Sequence, residues 1–287
     1  MKIAVTGPNG QLGGELVKQG AIPLRGRLMS EEMTANIEAI KPDAIINCAA
    51  MTDVDGCEEE TLLAAATNTA GVEYLSYRFP GYLIQISTDY VFDGHHGPYG
   101  VRDAPGPISI YGWSKLGGEL VTRRHQGPWL IVRTTILFSS ANNNFVAKIV
   151  KQLRGGGVVS MYTPDIMGTP TYVPALATEI LRIVRAKYEG IAHIAGSPNV
   201  SRLVFAREIA TAFGYDPGVI VPWNPEIGDL NIPFSGAPRP QRAGLICDHN
   251  GYLPVNGHNY RDGLIELSKQ KGIYHERSME RMIERKE

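Results

Sequence analysis

Cysteine is scarce. Cys48, Cys57 and Cys247 are odd in number and lack paired spacing, which excludes a disulfide framework or a cysteine zinc site and points to inert thiols in a reducing compartment. No charge sign dominates either: 28 basic against 29 acidic side chains give a formal charge of −1. Such neutrality gives no electrostatic support for nucleic-acid or anionic-membrane binding, and neither partner is expected. No apolar run approaches the roughly twenty residues that span a bilayer. Glycines follow Met1–Val5 too soon for a signal-peptide core, so the expected location is cytoplasmic. His95 and His96, beside Asp93 and Gly94, read as a solvated loop, and no metal site is expected.

What remains is an ordinary globular composition, 43% hydrophobic and 20% charged over 287 residues, enough for one large core or two modest ones. Apolar runs at Ile3–Val5, Ala44–Ile46, Tyr82–Ile86 and Leu130–Val132 alternate with helical patterns over about 30–41, 58–78 and 111–124. This βα repetition predicts an α/β fold with a doubly wound parallel sheet, Rossmann-like, that binds ligands at the carboxyl ends of its strands. Beyond about residue 158 proline recurs, from Pro164 through Pro170, Pro174 and Pro198 to Pro240. Frequent breakers predict short elements and shaped loops. The expected division is therefore a dinucleotide-binding domain over 1–158, a smaller substrate-binding lobe over 159–272 interleaved with it, and a charged helical tail over 273–287. In that tail Glu276, Glu280 and Glu284 form one helical row and Arg277, Arg281 and Arg285 the next. Met279, Met282 and Ile283 leave room there for a partner contact, including a second copy of the chain.

The first strand runs into Gly7-Pro8-Asn9-Gly10-Gln11-Leu12-Gly13-Gly14 and then an apolar helical pattern. Strand, glycine turn and helix N-terminus together make a pyrophosphate site, because glycine allows the turn, the phosphate's approach and close helix–sheet contact. Gly7, Gly10 and Gly13 fill those roles. At the end of the second strand, where an acid would bind the ribose hydroxyls of NAD, stand Arg25 and Arg27. An arginine pairs with a 2′-phosphate, so the expected cofactor is NADPH, with NADH as the alternative.

Tyr111 and Lys115 lie one turn apart on a predicted helix. A phenol of reference pKa near 10 needs a nearby cation to release its proton at neutral pH. An ammonium about 4 Å away, at an effective dielectric of about 20, supplies roughly 4 kcal/mol. On that reading Lys115 alone brings Tyr111 near neutrality.

Together with Ser87-Thr88-Asp89-Tyr90-Val91-Phe92-Asp93-Gly94, these motifs resemble those of the extended short-chain dehydrogenase/reductase family. More narrowly, Ile46 through Asp55, Asn143-Asn144-Phe145, Asp165 through Thr171 and Pro238-Arg239-Pro240 resemble its dTDP-4-dehydrorhamnose reductase branch. The resemblance implies that Tyr111 protonates a sugar 4-keto oxygen, that Thr88 hydrogen-bonds the same oxygen, and that Lys115 acidifies Tyr111 and holds the nicotinamide ribose. It implies cofactor contacts from Gly7, Asn9, Gly10, Gln11, Leu12, Gly13, Cys48, Ala49, Ala50 and Ser87, besides Tyr111, Lys115 and the two arginines. A nucleotide-sugar substrate would meet Thr52, Val54, Thr88, Asp89, Tyr90, Asn144, Gly168, Pro170 and Arg239. Read from the residues alone, Asn144 is equally a helix cap, Thr52 a turn residue and Arg239 a surface charge.

Three departures stand out. Ile136 occupies a position where the branch often has tryptophan, Met51 one where histidine or an aromatic residue is frequent, and the second-strand acid is absent. Competing functions are a nucleotide-sugar epimerase, which uses the same Tyr/Lys pair, and a non-catalytic dinucleotide-binding regulator similar to the beta subunit of methionine adenosyltransferase. A dehydratase is disfavoured because Tyr90, not a second acid, follows Asp89.

Overall fold

A computed structural model describes residues 1–141, 143–161, 166–223, 236–249 and 258–272. Its centre is a parallel sheet of six strands: β1 (Ile3–Thr6), β2 (Ile22–Pro23), β3 (Ala44–Asn47), β4 (Tyr82–Thr88), β5 (Trp129–Thr134) and β6 (Gly190–His193). A seventh, β7 (Asp248–His249), runs antiparallel at one edge, and the order across the sheet is β7-β6-β5-β4-β3-β1-β2.

Alternate residues of each strand feed opposite layers, as a pleated strand requires. Ile3, Val5, Ile46, Ile84 and Val132 pack on one face with Leu12 and Leu16 and with Leu176, Ile180 and Val184 of the helix Val173–Arg185. Ala4, Ile45 and Leu83 point the other way, onto Met33 and Ile37 of the helix Glu31–Ile40 and onto Leu75 and Phe79. Burial on both faces explains why these strands read as continuous apolar runs.

The helix and strand at Val173–Arg185 and Gly190–His193 return the chain to the sheet layer. The stretch 159–272, expected to form a smaller lobe, thus also completes the sheet. A separate core, built on Phe138, Ile149, Phe205, Ile209, Tyr260 and Leu264, gathers residues from both sides of position 158. The charged tail at 273–287 and Asp165 lie outside the described residues. Among the described residues no helix is long and apolar enough to cross a membrane.

Strand order reverses between β1 and β3, because β2 lies on one side of β1 and β3 on the other. Loops leaving the carboxyl ends of such a pair diverge and open a crevice.

Candidate active site

The glycine loop is built to that crevice. Gly7 has φ +62°, and a Cβ there would approach the backbone of Ala49, in the loop after β3, to 3.0 Å. A Cβ on Gly13 would sit 2.1 Å from the Gly7 carbonyl oxygen. Gly10 caps the helix Gln11–Lys18 without any side-chain hydrogen bond, so the first amides face outward, as an anion requires. Gly13→Ala is expected to abolish measurable dinucleotide binding by forcing this turn open; titration with NADPH of a variant shown to be folded by circular dichroism checks it.

A cavity of about 440 Å³ runs from this turn across the strand ends. Gly10, Gln11, Leu12 and Gly13 line one end with Cys48 and Ala50; Thr52, Val54, Ser87, Thr88, Asp89, Tyr90, Tyr111, Lys115 and Asn144 line the rest. Gly7 and Ala49 are not among its lining residues. Asn9 is exposed outside it, as are Arg25 and Arg27 just past β2, whose guanidinium groups have no ion-pair partner among the described residues. Gly168 and Pro170 are buried outside the lining; a Cβ on Gly168 would meet Ile136 Cδ1 at 2.4 Å and push that side chain aside. Arg239 also stands outside the lining, paired with Asp55 at 2.6 Å.

Tyr111 and Lys115 share the helix Ile110–Thr122, which Ser109 caps by accepting from Gly112 N. Asn68 braces it: its side chain donates to Ser114 Oγ at 2.9 Å and exchanges hydrogen bonds with the backbone of Met51. The expected chemistry of the pair is corrected at one point. Lys115 Nζ donates to the Ile86 carbonyl of β4 at 2.7 Å, so in the free protein its hydrogen bond goes to the strand and not to the phenol. Burial raises the Tyr111 pKa well above the usual tyrosine range, and only the Thr88 hydroxyl beside it acts to lower it. Tyr111 is therefore a fully protonated acid, and Lys115, brought down to about 8 by burial, is a cation close to its own titration point.

The remaining residues are held firmly. Asp89 is buried, accepts from Thr135 Oγ1 at 2.7 Å and from Thr88 Oγ1 at 3.2 Å, and has its pKa raised by burial. Tyr90 meets Tyr111 edge to face at 5.5 Å. Burial pushes the Cys48 thiol up to about 12, leaving it unreactive. Asn144 is the cap of the helix Phe145–Arg154, accepting from Ala147 N at 3.0 Å, and it donates to Gln11 Oε1 at 3.2 Å. Asn144 is thus a helix cap, as one reading had it, whose amide also ties that helix to the glycine turn.

Sequence reasoning missed a buried network under the floor. Ser87 Oγ donates to Glu119 at 2.5 Å, and Glu119, one turn beyond Lys115, takes a two-pronged ion pair from Arg133 at 2.9 and 2.7 Å. Glu119 and Arg133 are respectively 0% and 1% exposed. Arg133 also lies over the Phe92 ring and beside His193, whose pKa burial and that positive charge push down to about 3. Arg202, over the Phe145 ring, lines the cavity too. Ile136 lines it with φ +46°, a strained conformation for a β-branched residue.

The residues fit a dinucleotide: outward amides, two positions where a Cβ is excluded, and a buried Thr134 Oγ1 on the cavity wall with no hydrogen-bond partner among the described residues. A Rossmann sheet with a glycine turn, and a tyrosine, threonine and lysine around one cavity, defines an NAD(P)-dependent reductase of the short-chain dehydrogenase type.

Residues 1–270 match the RmlD substrate binding domain family, and the chain belongs to that family. It is 34% identical over 241 residues to the dTDP-4-dehydrorhamnose reductase of Mycobacterium tuberculosis, covering 77% of this chain and 78% of that protein. It is 31% identical to the spore coat polysaccharide biosynthesis protein SpsK of Bacillus subtilis, over 94% and 98% of the two chains. The fold superposes with a TM-score of 0.82 on the crystal structure of the Bacillus anthracis dTDP-4-dehydrorhamnose reductase in complex with NADP, 28% identical, covering 94% of this chain and all of that one.

Proposed function

We propose that the chain uses NADPH to reduce the 4-keto group of a nucleotide-linked 4-dehydro-6-deoxy sugar, converting dTDP-4-dehydrorhamnose to dTDP-rhamnose. The observation that carries this reading is the convergence of Thr88, Tyr111 and Lys115 on the cavity that begins at the glycine turn. The reductases from M. tuberculosis and B. anthracis support the substrate and, in the second case, the cofactor.

A bound reduced nicotinamide supplies the hydride. The chain's own residues handle the oxygen. Attack at C4 turns the carbonyl into an alkoxide, and charge accumulates where Thr88 Oγ1 and Tyr111 Oη point. Tyr111, kept protonated by its burial, gives its proton to that oxygen. The phenolate left behind then needs a cation, and Lys115, on the same helix face, is the nearest candidate once its hydrogen bond to Ile86 is exchanged for one to the ligand. In the free protein Thr88 Oγ1 donates its one proton to Asp89 Oδ1 at 3.2 Å, and the hydroxyl turns that proton to the substrate oxygen when the ligand binds. Thr52, Val54 and Tyr90 shape the sugar end of the cavity.

Stoichiometry separates this reaction from the epimerase and regulator alternatives. One NADPH oxidised per ketosugar consumed, followed by absorbance, is the expected result; binding of both ligands with no net oxidation contradicts it. Arg25 and Arg27 carry the cofactor preference. Losing both is expected to cut the NADPH-to-NADH ratio of kcat/KM by about tenfold or more, the worth of one to two charge-assisted hydrogen bonds. An unchanged ratio would remove them from the 2′-phosphate site.

A further inference from the structure

The loop Gly236–Arg239 closes around a carboxylate from the far side of the chain. Asp55 Oδ1 accepts from Ala237 N at 2.8 Å and from Arg239 Nη1 at 2.6 Å, and Oδ2 accepts from Nη2 at 2.6 Å. The third wall is the absence of a side chain: a Cβ on Gly236 would lie 2.0 Å from Asp55 Oδ1. One amide, one guanidinium fork and one bare glycine face make an anion cradle, and the same geometry suits phosphate as well as carboxylate.

Two features set this pair apart from the ion pair beneath the cavity floor. Asp55 is 50% exposed and Arg239 25%, so the carboxylate can leave for water. The cradle also adjoins the cavity. Val54, next to Asp55 in sequence, lines it, and so does Tyr90, which feels the positive charges of both Arg239 and Arg202. Arg239 itself does not line the cavity while Asp55 holds it.

We propose that Gly236–Arg239 is a diphosphate-binding cradle, filled by Asp55 in the free protein and surrendered to the diphosphate of the nucleotide-linked substrate. The proposal rests on the nucleotide-sugar reading above for its ligand, and it gives Asp55 a role in binding: it competes with the substrate for Arg239. Displacement swaps one anion for another on the same fork, so the loop need not unfold to admit the ligand. It also makes the substrate's affinity depend on how often the cradle stands open.

Titration calorimetry of the NADPH-bound protein with thymidine diphosphate tests this. Asp55→Asn removes the competing charge and is expected to tighten binding by about threefold or more. Arg239→Lys loses the fork and is expected to weaken it by about tenfold. Weaker or unchanged binding in Asp55→Asn would make the pair a permanent strap and overturn the exchange. So would unchanged binding in Arg239→Lys, or no binding of thymidine diphosphate to the unaltered protein. Should Asp55→Asn fail to fold, the Arg239→Lys result decides alone. The readout is binding and not turnover, so a protein that shows the exchange but reduces no ketosugar would lose the proposed reaction and keep the cradle.

Discussion

Tyr111→Phe is expected to lower kcat by about two to four orders of magnitude, the range that a positioned general acid contributes, with NADPH affinity unchanged. The ring stays, so its packing against Tyr90 and the cavity wall is kept; only the proton is lost. Because burial holds the phenol above its ordinary range, Tyr111 does not titrate across neutral pH. The group that does is Lys115, at about 8. Its pKa is lowered, so the ammonium is present below about pH 8 and lost as pH rises through it. The kcat/KM profile of the unaltered protein is therefore expected to fall on the alkaline side near 8, and Lys115→Arg, which stays charged, is expected to move that limb upward. Normal turnover in Tyr111→Phe would discard the proton-donor assignment.

Glu119→Ala is expected to destabilise the protein by about 3–5 kcal/mol, because it leaves Arg133 charged and unpaired in a site with almost no water. Ser87 loses its acceptor at the same stroke. Replacing both partners by apolar residues, as in Glu119→Leu with Arg133→Met, removes the stranded charge and is expected to recover much of the loss. Urea unfolding of the two variants distinguishes these outcomes. A single variant as stable as the parent would show that the pair contributes only packing. The same network sits one turn beyond Lys115 and beneath Ser87, so damage here is also expected to reach the dinucleotide site.

What the sequence made legible was local. The glycine turn announced itself because its glycines follow directly on an apolar strand and lead into a helical pattern, and the pairing of Tyr111 with Lys115 followed from their helical spacing. The βα rhythm was readable because strands buried on both faces must be apolar throughout. What stayed hidden depends on partners far apart in sequence. Nothing near Arg239 names Asp55, 184 residues away, and nothing near Glu119 names Arg133 as its buried mate. The strand Gly190–His193 escaped notice because four residues ending in histidine, in a proline-rich stretch, carry no clear period. Lys115 shows a different limit. Helical spacing puts its side chain on the right face, but only the structure reveals that Ile86 O takes its ammonium in the free protein.

The central step of the proposed reaction is hydride passing from a nicotinamide held at the glycine turn to a carbonyl held by Thr88 and Tyr111. NADPH carrying deuterium at both C4 positions, supplied with dTDP-4-dehydrorhamnose and followed by mass spectrometry and NMR of the product, tests that transfer directly. One deuterium at C4 of the sugar is the predicted result; a product without deuterium, or one carrying it at any other carbon, would contradict it.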